Sequence, residues 1–396
     1  MKKLGSRNCI RFWLIVLALS PCAVAQSIQI TNVEELYRAV NNSSNAGATL
    51  VLAPGTYMLS ASDANNVPRP KGGRIELEPD MSLVGLEGNR DAVVISAFNL
   101  PDSSFPSNDV NGVATGPNAA VRMGLGHNSL EWLTVRDARF GQANIDSGLQ
   151  SLDPGTAFIR IAHIASTGSA RGLNVLNFGP QTSGQTIEAD IVDSYFFANN
   201  FGIAEGVRFG NFQGTRGSTV NVRMSGNLLW GQQQGRLIVD NTAIDSTVSV
   251  ISTGNRFYGN GAGTIIAGGL TQGPNRADGN TINFEAHGEE FVRNTGETDF
   301  DHGGLVVLGI DNASDAEGGG SNNTVNIRLW GCRMLNNNTS DFTAIGARSL
   351  PSGDPSLNQN NHVMIEIHGS GKSQPVKIFT DSIPAVPSYG NSVTVN

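Results

Sequence analysis

Cysteine is nearly absent: three occur in 396 residues, and two of them, Cys9 and Cys22, lie in an N-terminal segment with the marks of a removable leader. Cys332 is then alone, and an internal disulfide framework is excluded. A chain of this size without disulfides has to be held by a large core. Charge is also scarce, at 15% of residues, and aromatics make up 7%. Apolar runs are short. The longest spans Phe12 to Leu19, well under the roughly 20 residues that a membrane helix needs. A full Gly-x-x-x-x-Gly-Lys-Ser/Thr phosphate loop (Gly371-Lys372-Ser373 has Glu366 where the first glycine would stand), dinucleotide fingerprints, and His-x-x-His or Cys-x-x-Cys pairs are missing, which removes the usual routes to nucleotide and zinc chemistry.

What is present begins with the leader. Lys2, Lys3, Arg7 and Arg11 precede the apolar run, and Ala23-Val24-Ala25 offers a small-x-small cleavage site before Gln26. This order is that of a secretory signal peptide over 1–25. It implies a mature chain over 26–396 that is secreted, periplasmic or at the cell surface. The leader takes four of the 26 basic residues and none of the 34 acidic ones, leaving 22 against 34 and a formal charge of −12. So acidic a chain lacks the basic footprint that nucleic acid requires.

Glycine is abundant, at 48 residues, and marks many turns that need positive φ. Between the turns a unit recurs, in which Thr is followed by alternating apolar and polar residues and then often by Gly-Asn. It reads Thr219-Val220-Asn221-Val222-Arg223-Met224-Ser225-Gly226-Asn227. It returns from Thr247, Thr281, Thr324 and, more loosely, His362. Thr186 opens an earlier relative, and Ser392-Val393-Thr394-Val395 ends the chain. Period-two alternation makes each copy a strand with one buried face. Spacings of 28 to 43 residues between the starts leave room for two further short strands per repeat. A fixed unit with variable insertions is the pattern of a solenoid. The predicted fold is all-β: a single right-handed parallel β-helix. Thr31-Asn32-Val33-Glu34 reads as a capping box, and Val33, Leu36, Tyr37 and Val40 follow helical spacing, so a short N-terminal α-helix should cap the first coil.

The capping helix, then Leu52-Ala53-Pro54-Gly55-Thr56-Tyr57, then coils with Gly-Asn turns, resembles the pectin-lyase-like β-helix superfamily over the whole mature chain. That resemblance implies an exported protein acting on an extracellular polysaccharide, as a lyase or glycoside hydrolase where it is an enzyme. The superfamily also contains adhesins without activity, so a non-catalytic surface or scaffold module is the alternative. The polygalacturonase set of paired Asp, Gly-His-Gly and Arg-x-Lys is not found, since Gly126-His127-Asn128 does not supply it. A lyase-type Lys base cannot be mapped onto Lys71, Lys372 or Lys377.

Stacking the repeats in register places outward residues in columns about 4.8 Å apart. One column reads Arg223, Ile251, Glu285, Arg328, Glu366. Its neighbour reads Ser225, Thr253, His287, Trp330, His368. Glu285, Arg328 and Glu366 are the candidate catalytic residues: Glu285 and Glu366 sit two coils, about 9.6 Å, apart, near the carboxylate separation of inverting glycosidases. Asn283, His287, Asn326, Trp330 and His368 are the candidate ligand-binding residues, with Trp330 offering a flat ring to a sugar. The competing reading of the same columns is an inter-coil salt ladder with Trp330 packed under a loop. Asp311, Asp315 and Glu317 supply closely spaced oxygens of the kind seen in loose calcium loops, and a solvated acidic loop explains them as well. His127 and His163 read as structural. A polysaccharide or surface glycan is the expected partner, with no nucleic acid and no membrane span in the mature chain.

Overall fold

The computed structural model describes residues 26–396 except 106–118, 139–141, 148–154, 180–181, 200–204, 272–274, 296–302, 313–317, 338–339, 350–353 and 383–386. The leader over 1–25, with its cleavage site, lies outside the described residues.

The alternating segments form strands, and every strand pair in the three sheets is parallel. A long sheet stacks twelve strands, from Ser27–Ile30 through Thr219–Ser225 and Thr281–His287 to Ser392–Val395. A second sheet stacks ten short strands, such as Leu228–Trp230 and Arg256–Tyr258. A third stacks ten more, such as Gln234–Asn241 and Ala262–Leu270. Between the first and last long-sheet strands, which stand outside complete coils, each coil contributes one strand to each sheet, in that order, which makes the parallel β-helix the repeats predicted.

The register follows the repeats residue for residue: Glu285 pairs with Arg328, Arg328 with Glu366, His287 with Trp330, and Trp330 with His368. The inward positions Val220, Val222, Val250, Phe284, Ile327 and Ile365 are at most 2% exposed and join one apolar cluster running the length of the helix.

The corners are polar and stacked. Asn227 Nδ2 donates to Asn255 Oδ1 (2.8 Å), and Asn255 to Glu289 (3.0 Å). The other two corners carry ladders of their own, Asn260–Asn294–Asn337 (3.0 and 2.9 Å) and Asn280–Asn323–Asn361–Asn391 (3.1, 2.9 and 3.0 Å). These amides satisfy backbone groups that would otherwise be buried unpaired where the chain turns.

The N-terminal helix spans Val33–Val40 and packs Leu36, Tyr37, Ala39 and Val40 onto the first coil. Its cap lies one residue later than expected. Asn32, not Thr31, accepts from Glu35 N (3.0 Å), and Glu35 reaches back to Thr31 N (2.7 Å). Glu34, the expected partner, instead pairs with Arg69. Tyr37 Oη fastens the helix by donating to Gly73 O (2.6 Å).

Candidate functional site

On the outer face of the long sheet, every second side chain points to solvent, and equivalent positions line up along the axis. Two concavities lie end to end on this face. The first, about 750 Å³, is bordered by His127, Phe158, Arg160, Asp190, Asn221 and Arg223 among others. The second, about 560 Å³, is bordered by Asn283, Glu285, Asn326, Arg328, Met364 and Glu366. They share Ser249 and Ile251 and so form one trough. It runs across ten strands, Ser82–Val84 to Ser392–Val395, or about 43 Å at the rung spacing.

Five of the predicted residues, Asn283, Glu285, Asn326, Arg328 and Glu366, line the second concavity together. Arg328 Nε meets Glu366 Oε2 at 3.3 Å, and His287 Nε2 meets Glu285 Oε1 at 2.7 Å. Asn326 Nδ2 donates to Asn283 Oδ1 (2.9 Å). The other three stand in the adjacent column, outside the residues that border either concavity. There the Trp330 ring is stacked between two imidazoles, with centroids 4.8 Å from His287 and 5.4 Å from His368. Both of its faces are covered, so Trp330 forms part of a rim and has no free face for a sugar ring.

Asp311 is the penultimate residue of a buried strand, Gly303–Asn312, and its carboxylate receives both Nε (2.7 Å) and Nη2 (2.8 Å) of Arg348. Asp315 and Glu317 lie outside the described residues. Among the described residues there is no group of three or more His, Cys, Asp or Glu arranged to hold a metal ion.

Sequence reasoning missed several polar groups. His127, read as structural, stacks on Phe158 at 4.2 Å and borders the head of the trough. His163 does pack against Trp132, at 4.0 Å. On the third sheet's outer face, the fully buried Glu205 accepts from Arg171 Nε (3.0 Å) and from Arg208. Burial, with Arg171 beside it, pushes the Arg208 guanidinium down to about 10. Inside the helix, Arg236 pairs with Glu289 (2.9 Å) with both side chains wholly buried. The signal for Arg236 was available in Gly235. Five successive third-sheet strands, Arg171–Phe178 to Gly303–Asn312, carry two successive inward residues at a Gly-x pair, and Gly235 faces Phe257 and Asn260 in the interior. The residue after it therefore points inward too.

No protein-family model matches this chain, and no curated protein matches it. Among solved structures it is similar to pectate lyase Pel9A, with 15% identity and a TM-score of 0.40, over 84% of this chain and 79% of that one. It is also similar to the A-module of the mannuronan C-5 epimerase AlgE4 of Azotobacter vinelandii (12% identity, TM-score 0.37, 88% and 97% covered). A third is the alginate lyase AlyF-OU02 in complex with G6 (13% identity, TM-score 0.35, 93% and 91% covered). At these values the likeness concerns the fold and says nothing of the trough. Fold and face together define a parallel β-helix protein with a long polar trough on one sheet.

Proposed function

We propose that this protein is exported and binds a linear polysaccharide along the outer face of its long sheet. The observation that supports this reading is the trough: two concavities merged at Ser249 and Ile251, straight, several coils long and lined by amides, hydroxyls and charged groups. A globular ligand would occupy one end of it, whereas an extended polymer contacts every coil. The basic and apolar order of the leader supports export, and no helix among the described residues is long and apolar enough to cross a membrane.

Processing of the bound chain would fall to Glu285 and Glu366, which flank Arg328 along the column, one acting as acid and the other as base. Binding without turnover is the second reading. It is favoured by the pairs that already occupy these carboxylates, Glu285 with His287 and Glu366 with Arg328. Glu285→Gln combined with Glu366→Gln separates the two, since turnover would disappear while binding persisted.

The test of the trough itself is Ser249→Trp, which fills the junction of the two concavities from a side chain that points away from the core. Affinity for an oligosaccharide series, measured by calorimetry, should climb with chain length in the wild type and drop at least about tenfold in the variant (about 1.4 kcal/mol). Equal binding by both proteins would rule the trough out.

A further inference from the structure

The charges of the trough narrow the class of polymer, granted that the trough is the binding surface. Its lining holds five carboxylates, on Glu131, Glu188, Asp190, Glu285 and Glu366, against three guanidinium groups, a net charge of −2. Two of the three cations are already engaged. Arg160 lies between Glu131 (3.3 Å) and Asp190 (2.8 Å), and Arg328 is held by Glu366 (3.3 Å). Of the three guanidinium groups, Arg223 is the one that makes no ion pair with the described residues. Its neighbours in the column are Asp190 and the apolar Ile251.

A polyuronate carries a carboxylate on every ring. Laid along the trough it would bring a negative charge to nearly every coil, where carboxylates outnumber free cations by a wide margin. The formal charge of −12 on the chain after its leader adds repulsion at longer range. The remaining lining suits hydroxyl groups instead. Asn221, Ser249, Asn283 and Asn326 follow one another up a single column, offering a donor and an acceptor per coil. Phe158, Ile251 and Met364 are 40%, 47% and 47% exposed in the same trough, and they supply apolar surface for the C–H faces of sugar rings. Unpaired carboxylate oxygens are themselves good acceptors for sugar hydroxyls.

We infer that the polymer held in the trough is an uncharged glycan, recognised through its hydroxyl groups and ring faces, and that acidic polysaccharides are excluded by charge. The inference rests on the trough reading above, and its test separates the two.

Calorimetric titrations would use hexamers of glucose, xylose and mannose beside hexamers of galacturonic and mannuronic acid, with wild type and with Ser249→Trp. Each would be run at about 0.01 M and about 1 M salt, between which the screening length falls from about 30 to 3 Å. At least one neutral hexamer should bind with an affinity that changes less than about twofold with salt and falls at least about tenfold in Ser249→Trp. The acidic hexamers should bind at least about tenfold more weakly at low salt, the gap narrowing at high salt. An acidic hexamer that binds more tightly than every neutral one, and is lost in Ser249→Trp, would overturn the uncharged class and leave the trough standing. Binding by neither class, or binding indifferent to Ser249→Trp, would remove the trough reading and this inference with it.

Discussion

The buried pair Arg236–Glu289 should be among the most sensitive points of the fold. Glu289 receives Arg236 Nη1 (3.2 Å), Arg236 Nη2 (2.9 Å), Asn255 Nδ2 (3.0 Å) and Ser252 Oγ. The guanidinium lies 4.6 Å from the ring centres of both Phe257 and Phe284. Glu289→Gln keeps the shape and removes the charge. Arg236 would then be an uncompensated cation in an apolar lumen, retaining Ser252 Oγ (2.6 Å) and the two rings. Breaking a buried pair from one side costs about 3–5 kcal/mol, whereas exchanging both partners for apolar residues of similar volume is often neutral or stabilising. Arg236→Met should therefore be costly alone, and Arg236→Met with Glu289→Met should lie within about 1 kcal/mol of wild type. Equilibrium unfolding in guanidinium, followed by circular dichroism, gives the four stabilities of the cycle formed by wild type, Arg236→Met, Glu289→Met and the double Met variant. The expected coupling is at least about 3 kcal/mol. Single variants that each cost under about 1 kcal/mol, or costs that simply add, would refute the account.

Two further outcomes follow from groups described here or buried beside them. Trp330→Ala should lower stability by about 1–3 kcal/mol, the worth of two ring contacts, and leave glycan affinity within about twofold; a loss of binding at unchanged stability would restore Trp330 as a sugar platform. Asp240 is buried, and burial pushes its carboxyl up to about 7, against hydrogen bonds from Asn211 that pull it down. Between about pH 4 and pH 7 the folded chain keeps a proton that the unfolded chain has released, so this residue's contribution is present at low pH and lost as pH rises through 7. Asp240→Asn should match wild type near pH 4 and be more stable at pH 8, as read from unfolding curves across pH; parallel wild-type and variant profiles would contradict the assignment.

The strand pattern was legible because the long sheet is half buried. Its inner residues must be apolar and its outer ones need not be, so Thr219–Ser225 and its repeats display their register in the letters alone. The third sheet hides its pattern. Its strands are buried on both faces, Gly303–Asn312 throughout its length, so alternation disappears. Arg236 shares the inward parity of Ile238, yet with Leu237 and Val239 likewise buried on the opposite face the letters do not mark which side is the lumen. The corner ladder at Asn280, Asn323, Asn361 and Asn391 stood in plain view, one residue before each long-sheet strand, yet an isolated Asn before a strand looks like any turn residue. For the candidate site, register alone gave the columns correctly. It could not show that His287 and His368 enclose Trp330, because the spacing of residues does not fix the tilt of their rings.

The lengths of the coils show where this architecture tolerates change. In four successive coils the long-sheet strand, its two-residue corner and the short strand occupy the same twelve positions: 219–230, 247–258, 281–292 and 324–335. The spacing of the coils nevertheless varies from 28 to 43 residues across these repeats, and nearly all of the variation falls in the two connections that bracket the third sheet. One inserted residue inside the twelve would turn the trough side chains into the core and break the stacking at Asn227 and Asn255. An insertion of any length beside the third sheet leaves both in register. Descendants of this chain can therefore acquire new loops on one flank indefinitely while the face carrying the trough is inherited as a ruler of fixed gradations.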